Sequence, residues 1–213
     1  LVYIDGEEDR TNNKTCARQK MHNVLLVYKQ LSLQFDENPG IQAIATTSDD
    51  LLPDDNHSTI SRDYEYKHLG TISLLTGIDL QTGEAIPLVK ESHNSNDYVE
   101  FLKLLDNKYP KEEKIRLVLD NLKVHSSVET RKYLASGPGR FEFVFTPKHG
   151  SWLNLVEGFF SKMMRQMLKG IRVKTKDELV ERIYKYFEEA NEEPVVYHWK
   201  YKLDEIDPNE EVQ

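Results

Sequence analysis

Cysteine is nearly absent. Cys16 stands alone among 213 residues, so no internal disulfide can form and a reducing compartment is expected. Long apolar runs are missing as well: no stretch approaches the roughly 18 residues that would suggest a membrane-spanning helix. No N-terminal segment has the pattern of a signal peptide. A soluble, intracellular protein with no membrane partner follows from these absences. An excess of positive charge, usual in proteins that grip DNA, is also lacking: 28 Lys and Arg face 36 Asp and Glu, a formal net charge of -8. The deficit is local, because Asp177 to Gln213 holds twelve acids against four Lys or Arg and the remainder is neutral. Gly158 to Lys176 carries Lys162, Arg165, Lys169, Arg172, Lys174 and Lys176 without an acid, a stripe that could meet phosphates or simply face solvent.

What is present centres on Ile115 to Leu168. Ile115–Leu119 is a short, almost wholly apolar run ending at Asp120, as expected of a strand buried on both faces that delivers a carboxylate at its C-terminal edge. Phe141–Phe145 is a second such run, closed by Thr146-Pro147. Ser151 is a candidate N-cap for a helix in which Trp152, Val156, Phe159, Phe160, Met163 and Met167 recur at helical spacing, ending near Gly170. Its other face carries Asn154, Glu157, Ser161 and Arg165. Glu157 lies among apolar neighbours, a costly place for a carboxylate unless paired or bound to metal. Upstream, Leu31, Leu33 and Phe35 alternate with polar residues up to Asp36, which predicts a half-buried strand with Asp36 at its end.

Three carboxylates converging from two strand ends and a helix would repel one another unless a cation sat among them. Oxygen donors without His or Cys favour Mg2+ or Mn2+ over zinc. Two such ions about 3.5 to 4 Å apart can activate a nucleophile and stabilise the leaving oxygen of a phosphodiester. Cutting or joining of nucleic acid is the chemistry this set suits. Asp5, Asp49, Asp50, Asp54 and Asp55 are rival acids, but their polar surroundings mark them as solvated loop charges.

Asp36-Glu37-Asn38-Pro39-Gly40, Asp120-Asn121 with His125, and Thr146-Pro147-Lys148-His149-Gly150-Ser151-Trp152-Leu153-Asn154 leading to Glu157 resemble the catalytic DDE domain of insertion-sequence transposases. More narrowly, they resemble the insertion sequence 630 branch of the Tc/mariner superfamily. The similarity runs from roughly Leu31 to Trp199. It implies an RNase H-like α/β fold, with Asp36, Asp120 and Glu157 as the catalytic, metal-binding triad of a DNA transposase using two Mg2+ or Mn2+ ions. It further implies element-end and target DNA as partners and a homodimer in the active complex, in the nucleoid of a prokaryotic cytoplasm. Asn121 and Asn154 would orient carboxylates, and His125 and His149 would either touch a phosphate or a water or serve as satisfied structural imidazoles in the core. Lys148, Lys162, Arg165, Lys169 and Arg172 are candidate DNA contacts. A non-catalytic remnant serving as a DNA- or protein-interaction module, and a stand-alone RNase H-like nuclease, are the competing functions.

The remaining pattern agrees with that fold. Met21–Leu31 predicts a lead-in helix, Tyr64–Leu80 and Ala85–Val89 a hairpin turning at Gln81-Thr82-Gly83, and Asn94–Asn107 a helix. Ser126 or Ser127 would cap a helix to Leu134, and Thr175 would cap a last one with Leu179, Ile183, Tyr186 and Phe187 inward. The expectation is a central five-stranded mixed sheet, three antiparallel strands followed by parallel ones, with helices on both faces. Residues 31–191 would form the catalytic domain with an inserted loop at 45–62, residues 1–30 a linker and lead-in helix, and residues 192–213 an acidic tail. A chain beginning with Leu1 is expected to be a fragment, lacking the helix-turn-helix domain that reads DNA in complete relatives.

Overall fold

A computed structural model describes residues 31–48, 50–61, 65–146 and 155–196. Within it, the strands β1 (Ser32–Thr46), β2 (Tyr66–Asp79), β3 (Ala85–Lys90), β4 (Ile115–Leu119) and β5 (Phe141–Phe145) form one sheet in the order β3-β2-β1-β4-β5. β1 to β3 are antiparallel neighbours, and β4 and β5 run parallel to β1. This is the expected mixed sheet.

Helices α1 (Ser95–Lys108) and α2 (Val128–Ser136) belong to one side, α3 (Leu155–Met163) and α4 (Lys176–Glu192) to the other. The irregularity in β1 explains both layers: between Asn38 and Ile41 the strand carries one residue more than β2, so odd-numbered positions face one side before it and the other side after it. Leu33 and Phe35 pack with Tyr98, Phe101, Leu102 and Leu105 of α1, whereas Ile41 and Ala43 pack with Val156, Phe159, Met163 of α3 and Leu179, Ile183, Phe187 of α4.

Helix starts follow the capping residues. Asn94 caps α1 through a full capping box with Asp97, Ser127 accepts from Thr130 N–H, and Thr175 accepts from Glu178 N–H. At the hairpin, Gly83 takes φ +77, the left-handed conformation that the turn requires. Gly170 takes φ +74 just past the helical segment that begins with α3, as a C-terminal glycine should.

Three expectations need correcting. Asp36 does not end its strand: β1 continues ten residues further, through an irregularity between Asn38 and Ile41, where Pro39 lacks an N–H to pair. The 45–62 loop therefore starts two residues later than expected, at Thr47, and Leu51 and Ser61 form a small bridge inside it. The helix expected to run unbroken to Gly170 leaves α geometry at Met164–Leu168, a π turn with Lys169 N–H donating to Met164 O at 2.7 Å. The 21–30 part of the lead-in helix, Cys16, Ser151, Trp152 and the last seventeen residues lie outside the described residues.

Candidate active site

The two expected aspartates come from adjacent central strands. β1 and β4 pair through Ser32↔Arg116, Leu33↔Leu117 and Gln34↔Val118, and continuing that register by two residues carries Asp36 to the level of Asp120. Asp36 is half-buried, and its Oδ1 accepts from Glu37 N–H at 2.9 Å. Asp120 is the first residue after β4. Its side chain is 49% exposed, and Oδ1 accepts from Leu122 N–H at 3.1 Å, a local turn that holds the carboxylate at the strand edge. Asn121 braces the same edge by donating to Thr146 O at 2.9 Å, so its amide ties the ends of β4 and β5 rather than gripping a carboxylate.

Behind this edge lies a buried polar pair. His125, 2% exposed, follows Asp120 in a short 3-10 turn (Lys123–Ser126) and packs against Tyr98 and Phe35, at ring separations of 4.8 and 5.5 Å. Its Nδ1 is 3.0 Å from Asp120 O and 3.3 Å from Asp120 Oδ1, and its Nε2 is 3.1 Å from Glu37 Oε1. Burial disfavours the imidazolium, but the bond and charge of Glu37, with the Asp120 carbonyl and carboxylate, outweigh it and raise the His125 pKa above its ordinary value. With both ring nitrogens facing acceptors, a doubly protonated ring satisfies both. Burial, reinforced by Glu37 and Asp120, pushes the Tyr98 hydroxyl well above its usual pKa.

The third acid stands on a helix pinned to the same strand. Gln34, 2% exposed and two residues before Asp36, accepts the N–H of Leu155 at 2.9 Å. Leu155 opens the described part of α3, where the first N–H groups have no partner within the helix. Glu157 follows two residues later and is exposed, so the desolvation cost expected for it from its apolar neighbours does not arise; Val156, Phe159, Phe160 and Met163 take the buried side. Beyond it Arg165 and Lys169 are exposed, Lys162 and Arg172 half-buried. Arg172 lines a cavity of about 330 Å³ with Asn38, Gly40 and Gln42 of β1. Lys148, His149 and Asn154 lie outside the described residues.

Asp36 and Asp120 fit a hard divalent cation by donor type and by level on their strands. Among the described residues, however, no three His, Cys, Asp or Glu side chains gather closely enough to hold an ion.

Glu37 and Gln34 are the residues that sequence reasoning missed. The signal for Glu37 was available: extending the inward alternation of Leu33 and Phe35 by one step puts Glu37 in the interior. Gln34 carried no such signal, since its partner is 121 residues away in sequence.

A mixed sheet in this order, with a carboxylate on each of two neighbouring central strands and helices on both faces, defines an RNase H-like domain. Residues 35–180, more than half of the chain, match the DDE superfamily endonuclease family, and the protein belongs to that family. Over 113 residues it is 24% identical to the insertion element IS630 uncharacterized 39 kDa protein of Shigella sonnei, covering 53% of this chain and 33% of that protein. The fold is like that of the Mos1 mariner paired end complex with Mn (TM-score 0.58, 14% identity, 89% of this chain and 58% of that one). It is also like the catalytic domain of Mos1 mariner transposase (TM-score 0.57, 13% identity, 86% and 84%). The chain spans about a third of the curated relative that it matches. Among the described residues, no helix is long and apolar enough to cross a membrane.

Proposed function

We propose that this protein is the catalytic domain of an insertion-sequence DNA transposase of the insertion sequence 630 and mariner type, carrying out metal-dependent strand cleavage and strand transfer. The observation that carries this reading is the parallel β1–β4 pairing through Gln34↔Val118, two residues before Asp36 and Asp120, within the segment matching the endonuclease family. Asp36, Asp120 and Glu157 would hold Mg2+ or Mn2+, whose chemistry when bound is to polarise a phosphodiester and activate a water or hydroxyl. The chain's own part is to present the acids from a rigid sheet edge and to orient DNA. Hydrolysis at an element end frees a 3′ hydroxyl, which then attacks target DNA in line. Lys162, Arg165, Lys169 and Arg172 would meet the phosphate backbone beyond Glu157, and two copies would hold paired ends, by analogy with the Mos1 mariner paired end complex.

The test is cleavage of element-end duplex with Mn2+ by Asp36→Ala, Asp120→Ala and Glu157→Ala, with circular dichroism to verify folding. Each variant should lose cutting and keep its fold; cutting retained by any of them overturns that residue's assignment.

A second reading, a non-catalytic DNA- or protein-interaction module, is favoured by the absence of a three-membered ion cluster among the described residues. Calorimetric titration with Mn2+ separates the two, because an interaction module would take up no ion at these acids.

A further inference from the structure

The ladder between β1 and β4 stops at Gln34↔Val118, two residues short of Asp36 and Asp120. Past that point a side-chain bridge connects the two strands, from Glu37 on β1 through His125 to Asp120 after β4. We propose that buried His125, braced by Glu37, is a positioning residue for the candidate metal site, its contact with Asp120 holding that carboxylate and its main chain in place beside Asp36. The inference rests on the proposed catalytic reading of Asp36 and Asp120.

Burial, polar contacts and packing carry it. Glu37 and His125 side chains are 5% and 1% exposed, so neither offers an accessible surface for a ligand or solvent to meet. Burying such a pair is an expensive way to fill a core, since well-packed apolar residues of the same volume commonly do as well or better for stability. What an apolar pair could not do is meet both oxygens that His125 Nδ1 faces, the Asp120 carbonyl at 3.0 Å and the carboxylate Oδ1 at 3.3 Å. The remaining constraint comes from packing. Phe35 and Tyr98 close on the imidazole, and because Phe35 precedes Asp36, the ring is fixed relative to both acids. Glu37 sits on the other side of Asp36, and its second oxygen, Oε2, is buried with no hydrogen-bond partner among the described residues, so its bond to His125 is the one that orients it. Partners placed behind a metal ligand in this way fix its orientation.

Two isosteric variants separate the ends of the bridge. His125→Asn places an amide Nδ2 near the position of Nδ1 and keeps the contact to Asp120 while abandoning Glu37. His125→Gln reaches Glu37 and abandons Asp120. Mn2+ affinity would be measured by calorimetry on both, on wild type and on Asp36→Ala, alongside the Mn2+ concentration giving half-maximal cleavage and the thermal midpoint. The expected result is Mn2+ affinity close to wild type in His125→Asn and lowered by about 10- to 100-fold in His125→Gln, the range found for partners behind metal ligands. A purely structural pair predicts the opposite order, since His125→Gln keeps the buried carboxylate partnered. Equal affinity in the two variants, or wild-type affinity in His125→Gln while Asp36→Ala has lost it, overturns the inference and leaves the catalytic reading standing. Wild-type affinity in Asp36→Ala overturns the catalytic reading, and the inference falls with it.

Discussion

Replacing Gln34 by Leu tests whether the helix carrying Glu157 is set by the strand carrying Asp36. The two side chains are close in volume, so packing changes little and the perturbation falls on the amide's polar contacts, among them the 2.9 Å bond from Leu155 N–H. One such bond is worth about 1 kcal/mol net, and an N–H left without an acceptor near a helix start raises the cost to about 1 to 2 kcal/mol. For a domain of this size that lowers the melting temperature by about 2 to 8 °C. The larger effect should be local. Val156 and Phe159 keep α3 on the core, but its opening turn is freed, and a shift of about 1 Å in Glu157 is enough to cost on the order of 100-fold in cleavage. Native-state hydrogen exchange would report faster exchange at Leu155, with the central amides of α4 unchanged, and a cleavage assay would report the loss in rate. If Leu155 exchanges as in wild type and cleavage is unaltered, Gln34 does not set this helix, and the physical link drawn between β1 and Glu157 is wrong.

Further outcomes concern the scaffold. Arg140, 10% exposed, donates to Asp106 Oδ1 (2.7 Å) and to the carbonyls of Asp106, Tyr109, Pro110 and Glu113, fastening the end of α1 to the start of β5. Arg140→Met should cost about 1.5 to 3 kcal/mol by removing the charged donor that these oxygens share, Asp106 keeping its bond to Lys111, a fall of about 3 to 12 °C by thermal unfolding; a change under 2 °C, roughly the effect of 1 kcal/mol, would refute this. The Asp106 carboxyl is held below its ordinary pKa by its bond to Lys111, with burial working against the shift and Arg140 adding to it. A depressed folded-state pKa contributes stability above the unfolded value near 4 that is lost as pH falls through the folded value. Asp106→Asn should therefore be less stable than wild type at pH 7, the gap closing below about pH 4 in urea unfolding; a gap constant down to acid pH counts against the assignment. Gly83→Ala would force an L-residue to φ +77 and bring its Cβ within 2.5 Å of Val195 O. The conformation alone costs about 1 to 2 kcal/mol, about 2 to 8 °C, and a fall no larger than that would show that the 194–196 segment does not seat against this turn.

Sequence pattern served best where burial is simple. β4 and β5 were legible to the residue because each is a short, mostly apolar run closed by Asp120 or Thr146. Thr175 and Ser127 were legible as caps because a side-chain oxygen before an amphipathic run has few other uses. β1 was cut short at Asp36 because the irregularity at Pro39-Gly40 interrupts the period-two signal, and the strand resumes its burial only at Ile41. For the site, the sequence singled out the acids but not what surrounds them. The order of the strands, β1 beside β4, makes neighbours of residues 84 apart, and the bonds of Gln34 and Glu37 exist only after that pairing. His125 was open between phosphate contact and core residue; its placement between two acids was invisible without the fold.

The π turn after α3 fixes chain length there. Met163 and Leu168 are both buried although five residues apart, a spacing that matches the wider turn and not an ordinary α-helix. Removing one residue between them would let the helix relax to standard winding, but everything downstream would then rotate by about 100°. Val173 and the whole inner side of α4 would be swung away from the sheet. Natural or engineered variation along Met164–Leu168 should thus proceed by exchange of side chains at constant length, with single-residue gaps excluded.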